Sequence, residues 1–149
     1  MSELAFEYKL TNVQEVGAAP PITAPEEAVE YWRKVIEERC WFQPNREHVV
    51  AVHLNVRSMA TGHHLVGIGT LSECTAHPRD IFGPALCAPA HTIVLMHNHP
   101  SGDPAPSRAD HELTKLVRNG GDFLRVELVD HVIVGAGENY FSFREAGLI

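Results

Sequence analysis

The segment HTIVLM, residues 91–96, is a short, nearly continuous apolar run lying between turn formers. Its polar and apolar residues do not alternate, so both of its faces need cover. That is the pattern of a strand in the middle of a sheet with packed layers on either side. The rest of the chain supplies those layers. EHVVAVHLNV, residues 47–56, is rich in β-branched residues and reads as a strand. RSMATGHH reads as a turn and HLVGIGT as a second strand, antiparallel to the first. RVELVDHVIVG and NYFSF complete the sheet.

Helices interleave with these strands. Pro25-Glu26-Glu27 fits a helix start, with proline at the first position and acids in the first turn. The spacing of Val29, Trp32, Val35 and Ile36 predicts that this helix runs to about Cys40. HPRDIFGPALCA reads as a short helix with an irregularity at Gly83-Pro84. A third helix is expected from Ser107 to Asn119, with Leu113, Leu116 and Val117 inward and Gly120-Gly121 as its stop. The expected class is α/β, a mixed, largely antiparallel sheet with flanking helices.

At 149 residues and 44% apolar composition, the chain has material for one core. One domain is expected over residues 22–149, preceded by an N-terminal arm over 1–21. In that arm Phe6, Tyr8 and Leu10 alternate before the proline-bearing GAAPPITAP. No apolar run approaches the ~20 residues that span a bilayer, and MSELAFEYKL has no apolar signal core. Cys40, Cys74 and Cys87 form no CxxC pair, so neither a disulfide framework nor a thiolate zinc site is indicated. Cys74 and Cys87 are expected to be small core residues. A cytoplasmic location follows from these features. The net charge of −7 disfavours a broad basic face that grips nucleic acid.

The apolar run leads directly into HNHPSGDPAPSRAD, residues 97–110. Side chains two apart on a strand share a face, so His97 and His99 present two imidazoles to one point. Asp110 lies three residues before Leu113 and seven before Val117, on the buried stripe of the following helix. A carboxylate there is costly unless something positive meets it. Ser107 and Asp110 also make a plausible capping box, which accounts for the serine but not for the convergence of His97, His99 and Asp110. Two histidines, a carboxylate and a water suit zinc with an open position, and manganese or iron would accept the same set. Metal-assisted hydrolysis further needs a base for the water, for which Glu47, Glu73 and Asp80 are candidates. Asp130-His131 reads as a satisfied structural pair, and helix geometry turns Arg108 and His111 away from the Asp110 stripe.

His97-Asn98-His99, seven residues, Ser107, two residues and Asp110 together resemble the HxHx7Sx2D signature of the JAB/MPN (JAMM) metalloprotease superfamily. VLMHNHPSGDPAPSRAD, with HPRDIFGPAL upstream and LVDHVIVG and YFSFREAGLI downstream, looks like the bacterial RadC-like branch, over roughly residues 22–149. The helix-hairpin-helix region that commonly precedes this domain is expected to be lacking. The resemblance implies a cytidine-deaminase-like JAB/MPN fold, zinc held by His97, His99 and Asp110, and Ser107 stabilising a tetrahedral intermediate. It makes Glu47 the general base and implies cleavage of a peptide or isopeptide bond in a protein substrate. The alternative it carries is an accessory module of DNA repair or mobile elements that binds or acts on DNA.

Overall fold

Five strands form one sheet in the order β2–β1–β3–β4–β5 in the computed structural model, which describes residues 14–15, 17–69, 76–88 and 90–149. The strands are β1 (His48–Leu54), β2 (Ala60–Ile68), β3 (Thr92–Asn98), β4 (Glu127–Val134) and β5 (Tyr140–Ser142). β3 and β4 run parallel, and every other neighbouring pair is antiparallel. The helices are α1 (Pro25–Tyr31), continued by a π-helical turn over Trp32–Ile36, α2 (Pro78–Cys87) and α3 (Arg108–Leu124). No helix among the described residues is long and apolar enough to cross a membrane. The alternating Phe6, Tyr8 and Leu10 of the expected arm lie outside the described residues, as do Glu73 and Cys74.

HTIVLM is the central strand, as its lack of alternation predicts. β3 buries Ile93 and Leu95 on one face and Val94 and Met96 on the other. The Val94 face, with Val50, Val52 and Val132, packs against Trp32 and Ile36. The Ile93 face, with Val49, Ala51 and Leu128, packs against Ile81, Phe82 and Ala85 of α2 and Val117 of α3. His97 continues the second series by period two, which places it on the α3 side of the sheet.

Three expected boundaries move, each for a local reason. The first helix ends at Ile36 rather than near Cys40, and its last stretch widens into a π turn closed by Glu37 N–H to the Trp32 carbonyl at 3.0 Å. Trp32 and Ile36 are both fully buried there, while Val35 is only partly covered. β2 begins at Ala60, so ATGHH is strand and the turn is tighter than RSMATGHH suggests. Asn55 makes the tight turn by accepting from the backbone of Arg57 and Met59 at 2.9 and 3.1 Å, and Ser58 takes a positive φ of 57°. α3 runs through Gly120-Gly121 to Leu124 and is capped by Arg125, whose φ is 58°. Those glycines are not a stop signal. A Cβ on Gly121 would lie 2.5 Å from the Val126 carbonyl, so glycine is what lets α3 approach β4 closely. The inward stripe is accordingly Asp110, Thr114, Val117 and Gly121, and Leu116 is exposed rather than inward. Cys87 closes α2 on the solvent side and is not a core residue.

The β1–β2 edge carries a histidine pair that couples folding to pH. His64 Nε2 lies 3.0 Å from the Asp80 carbonyl, which can only accept. His64 Nδ1 therefore accepts from His53 Nε2 at 2.8 Å. Burial, with like-charge pressure from His64 and His63, pushes buried His53 down to about 4. Burial likewise lowers His63, bonded to Tyr31, to about 4. The unfolded chain protonates such imidazoles near ~6.5, so between about pH 6.5 and 4 it holds more protons than the folded protein. The stability they confer is complete above that window and is lost as the pH falls through it. His53 alone is expected to remove ~2 kcal/mol between pH 7.5 and 5. Urea unfolding of His53→Gln, whose amide still donates but does not titrate, should show a correspondingly shallower slope of stability against pH than wild type. Equal slopes would mean that His53 charges without leaving its place in the sheet.

Candidate metal centre

The end of β3, the loop after it and the first turn of α3 bring three ligand-type side chains to one point. His97 is paired across the sheet with Val49 of β1 and Ile133 of β4, so its ring lies on the α3 face and is almost fully buried. His99 sits one residue past the strand, where its N–H donates to the Val134 carbonyl at 3.0 Å. The chain then reverses at Gly102, whose N–H donates to the His99 carbonyl and whose carbonyl accepts from Ala136, each at 2.9 Å. Gly102 has φ 83°, and a Cβ there would meet that of Ala136 at 2.9 Å. Ser107 caps α3 and Asp110 closes the capping box, so the carboxylate is turned inward onto the histidines.

His97 Nε2 is 3.1 Å from His99 Nε2 and 3.1 Å from Asp110 Oδ1, and His99 Nε2 is 3.6 Å from Asp110 Oδ2. An ion bound tetrahedrally at about 2.0–2.1 Å would hold its ligand atoms about 3.3 Å apart, close to the 3.1 Å from His97 Nε2 to His99 Nε2 and to Asp110 Oδ1. Among the described residues, His97, His99 and Asp110 form a group able to hold a metal ion. Hydrogen bonding also fits. His99 Nδ1 lies 2.8 Å from the Asp103 carbonyl, which cannot donate, so Nδ1 carries a proton directed outward and Nε2 is the nitrogen turned toward Asp110. Ser107 holds Asp110 Oδ2 through its N–H and its hydroxyl, both at 2.7 Å, leaving Oδ1 toward His97.

The electrostatics show the same demand for a cation. Burial raises the Asp110 carboxyl, but hydrogen bonds from His97 and His99, the charge of His97 and the Ser107 hydroxyl outweigh it and hold the group well below the usual carboxylate range. His99 is raised, chiefly by its hydrogen bond to Asp110, and further by the Asp103 carbonyl and by the charges of Asp110 and Glu47. Three electron-rich atoms thus converge where a proton or a metal ion would be stabilised.

The other expected site residues fall at different distances from this point. Glu47 immediately precedes β1 on the face of Val49 and is partly buried. The Val49–His97 pairing brings it by register beside His99, whose imidazole feels its charge. Ser107 is at the site, bonded to the carboxylate. Asp80 is exposed on α2, and its backbone carbonyl is engaged by His64. Arg108 and His111 are exposed as expected, Arg108 pairing with Glu112 at 2.9 Å.

Two residues have a place in the site that their sequence context did not reveal. Asn98 lies between the histidines with its side chain on the opposite face. It accepts from His48 N–H and donates to the Arg46 carbonyl, both at 2.9 Å, and so pins the backbone on either side of Glu47. Asp130-His131 is not one structural pair, because adjacent strand residues face opposite ways. Asp130 accepts from Ser142 Oγ at 2.6 Å and Arg144 N–H at 3.0 Å. His131 instead lies on the metal side, its Nε2 2.9 Å from His97 Nδ1.

A family described as the RadC-like JAB domain matches residues 22–148. UPF0758 proteins are similar: that of Chlorobaculum parvum is 44% identical over 70% of this chain and 47% of its own length. That of Rubrobacter xylanophilus is 46% identical over 70% of this chain and 45% of its own length. That of Trichlorobacter lovleyi is 35% identical over 85% of this chain and 53% of its own length. The chain spans about half the length of these curated relatives. With a mixed sheet that brings two histidines and an aspartate to one point, the chain belongs to the RadC-like JAB domain family.

Proposed function

We propose that this domain is a zinc-dependent hydrolase that cleaves a peptide or isopeptide bond. The observation that carries the reading is the convergence of His97, His99 and Asp110 at 3.1–3.6 Å beside Glu47. His97, His99 and Asp110 would hold the ion. Zinc bound there would lower the pKa of water towards ~7 and polarise a carbonyl. Glu47 takes the proton of the attacking water and passes it to the leaving nitrogen, an exchange suited to a half-buried carboxylate whose flanking backbone Asn98 fastens at Arg46 and His48. Ser107 holds Asp110 in the resting site, and its hydroxyl turns to the substrate oxygen as negative charge develops there. A donor placed in this way contributes roughly 2.7–4 kcal/mol in other hydrolases. The free thiols Cys40 and Cys87 fit the reducing cytoplasm as its compartment.

The test is metal analysis of the purified protein followed by incubation with peptide and isopeptide libraries. Cleavage is expected to stop on chelation and return with added zinc. Stoichiometric zinc with no amide cleaved would count decisively against the reading. The family's alternative, action on DNA, would show in the same preparation as salt-sensitive retention or cutting of duplex DNA.

A further inference from the structure

We propose that Thr114 and His131 form a hydrogen-bond relay that sets the tautomer of His97 and so aims its Nε2 lone pair into the metal site. The argument starts from a group that can only accept. The Asp110 backbone carbonyl lies 2.6 Å from Thr114 Oγ1, and the single hydroxyl proton of Thr114 must occupy that contact. Thr114 Oγ1 is also 2.6 Å from His131 Nδ1, so that nitrogen is the donor and carries the proton. A neutral His131 then has a bare Nε2, which lies 2.9 Å from His97 Nδ1 and accepts from it. With its proton on Nδ1, His97 leaves Nε2, the nitrogen nearest Asp110 Oδ1 and His99 Nε2, as its one ligand atom for an ion.

The surroundings leave the relay little freedom. His97, Thr114 and His131 are all buried, where a charged ring would be costly. Phe143 stacks on that ring at 4.8 Å between centroids and 9° between planes, which fixes its orientation. The relay also closes on itself, because it begins at the backbone of Asp110 and ends opposite the Asp110 carboxylate. One small hydroxyl on α3 thus ties the helix-borne ligand to the strand-borne ligand. Thr114 and His131 are positioning residues: they touch a ligand, not the ion or the substrate.

The inference rests on the proposed metal site, and two readouts separate its failure from the failure of that site. Long-range proton–nitrogen NMR of the metal-free wild type at pH 8 should show His131 protonated at Nδ1 and bare at Nε2. In Thr114→Val, which keeps the shape and removes the acceptor, His131 should shift its proton toward Nε2. Zinc dissociation constants from chelator competition should then rise about 10–100-fold in Thr114→Val and return to within threefold of wild type in Thr114→Ser. A wild-type spectrum with the His131 proton on Nε2 would overturn the relay, and it needs no variant to fold. Zinc binding by folded Thr114→Val within threefold of wild type would overturn it as well. If the wild type takes up no zinc, the proposed hydrolase falls, while the tautomer spectra still decide the relay.

Discussion

Glu47→Gln is expected to retain zinc at wild-type stoichiometry and to lower kcat by about 100-fold or more, the range over which a positioned acid–base group contributes. The two halves of that expectation have different physical sources. Zinc retention follows because the ligand atoms belong to the end of β3, the residue after it and α3, while Glu47 approaches from the start of β1 and its charge is felt at His99. Loss of turnover follows because an amide of the same shape can hold the same place but cannot take a proton from water. The backbone around residue 47 is fastened independently of its side chain, by the Asn98 bonds to Arg46 and His48 and by Gly69 N–H to the Glu47 carbonyl at 2.8 Å. The variant should therefore keep the wild-type fold, and KM should move less than kcat. Metal content by mass spectrometry, with kcat and KM on one cleaved substrate, checks both halves. A Glu47→Gln protein that turns over within a few-fold of wild type would remove Glu47 from the chemistry while leaving the metal site standing.

What could be read from the sequence follows the range of the interactions involved. The central strand was legible because its pattern is local: a run with no alternation needs cover on both faces, and β3 has it. Strand period two and the place of Asp110 on a helical stripe were enough to bring His97, His99 and Asp110 together. Gly120-Gly121 misled because a stop signal and a close-approach glycine look alike until the Val126 carbonyl, just before β4, lies 2.5 Å from the would-be Cβ of Gly121. Leu116 misled because the inward stripe is set by Asp110 and Thr114, polar residues that an apolar pattern passes over. His131 was the costlier omission, and a signal for it existed. Alternation alone separates it from Asp130, and a histidine facing the sheet interior needs a partner for each ring nitrogen. Which partners it found depended on the parallel register of β3 and β4, which nothing in 125–135 specifies.

His97→Ala and His99→Ala should be equally damaging to metal binding and unequal in their effect on stability. Structural zinc sites with four protein ligands bind with roughly 10–16 kcal/mol. One ligand thus accounts for about 2.5–4 kcal/mol, and either deletion should weaken zinc by roughly 100-fold to several-hundred-fold and abolish measurable turnover. The metal-free proteins are where the two variants part. The His97 side chain is 1% exposed, whereas that of His99 is 17% exposed at the mouth of the site. Removing His97 leaves a cavity beneath α3 and strips the buried His131 Nε2 of its donor, a loss of about 1–3 kcal/mol before the cavity is counted. Removing His99 exposes Asp110 further to water and frees the Asp103 carbonyl, which solvent can satisfy. Urea unfolding in the presence of chelator should therefore show His97→Ala clearly less stable than His99→Ala, although zinc titrations rank the two alike. Equal stabilities would mean that His131 has found another donor, and the link from α3 through the relay to β3 would have to be redrawn.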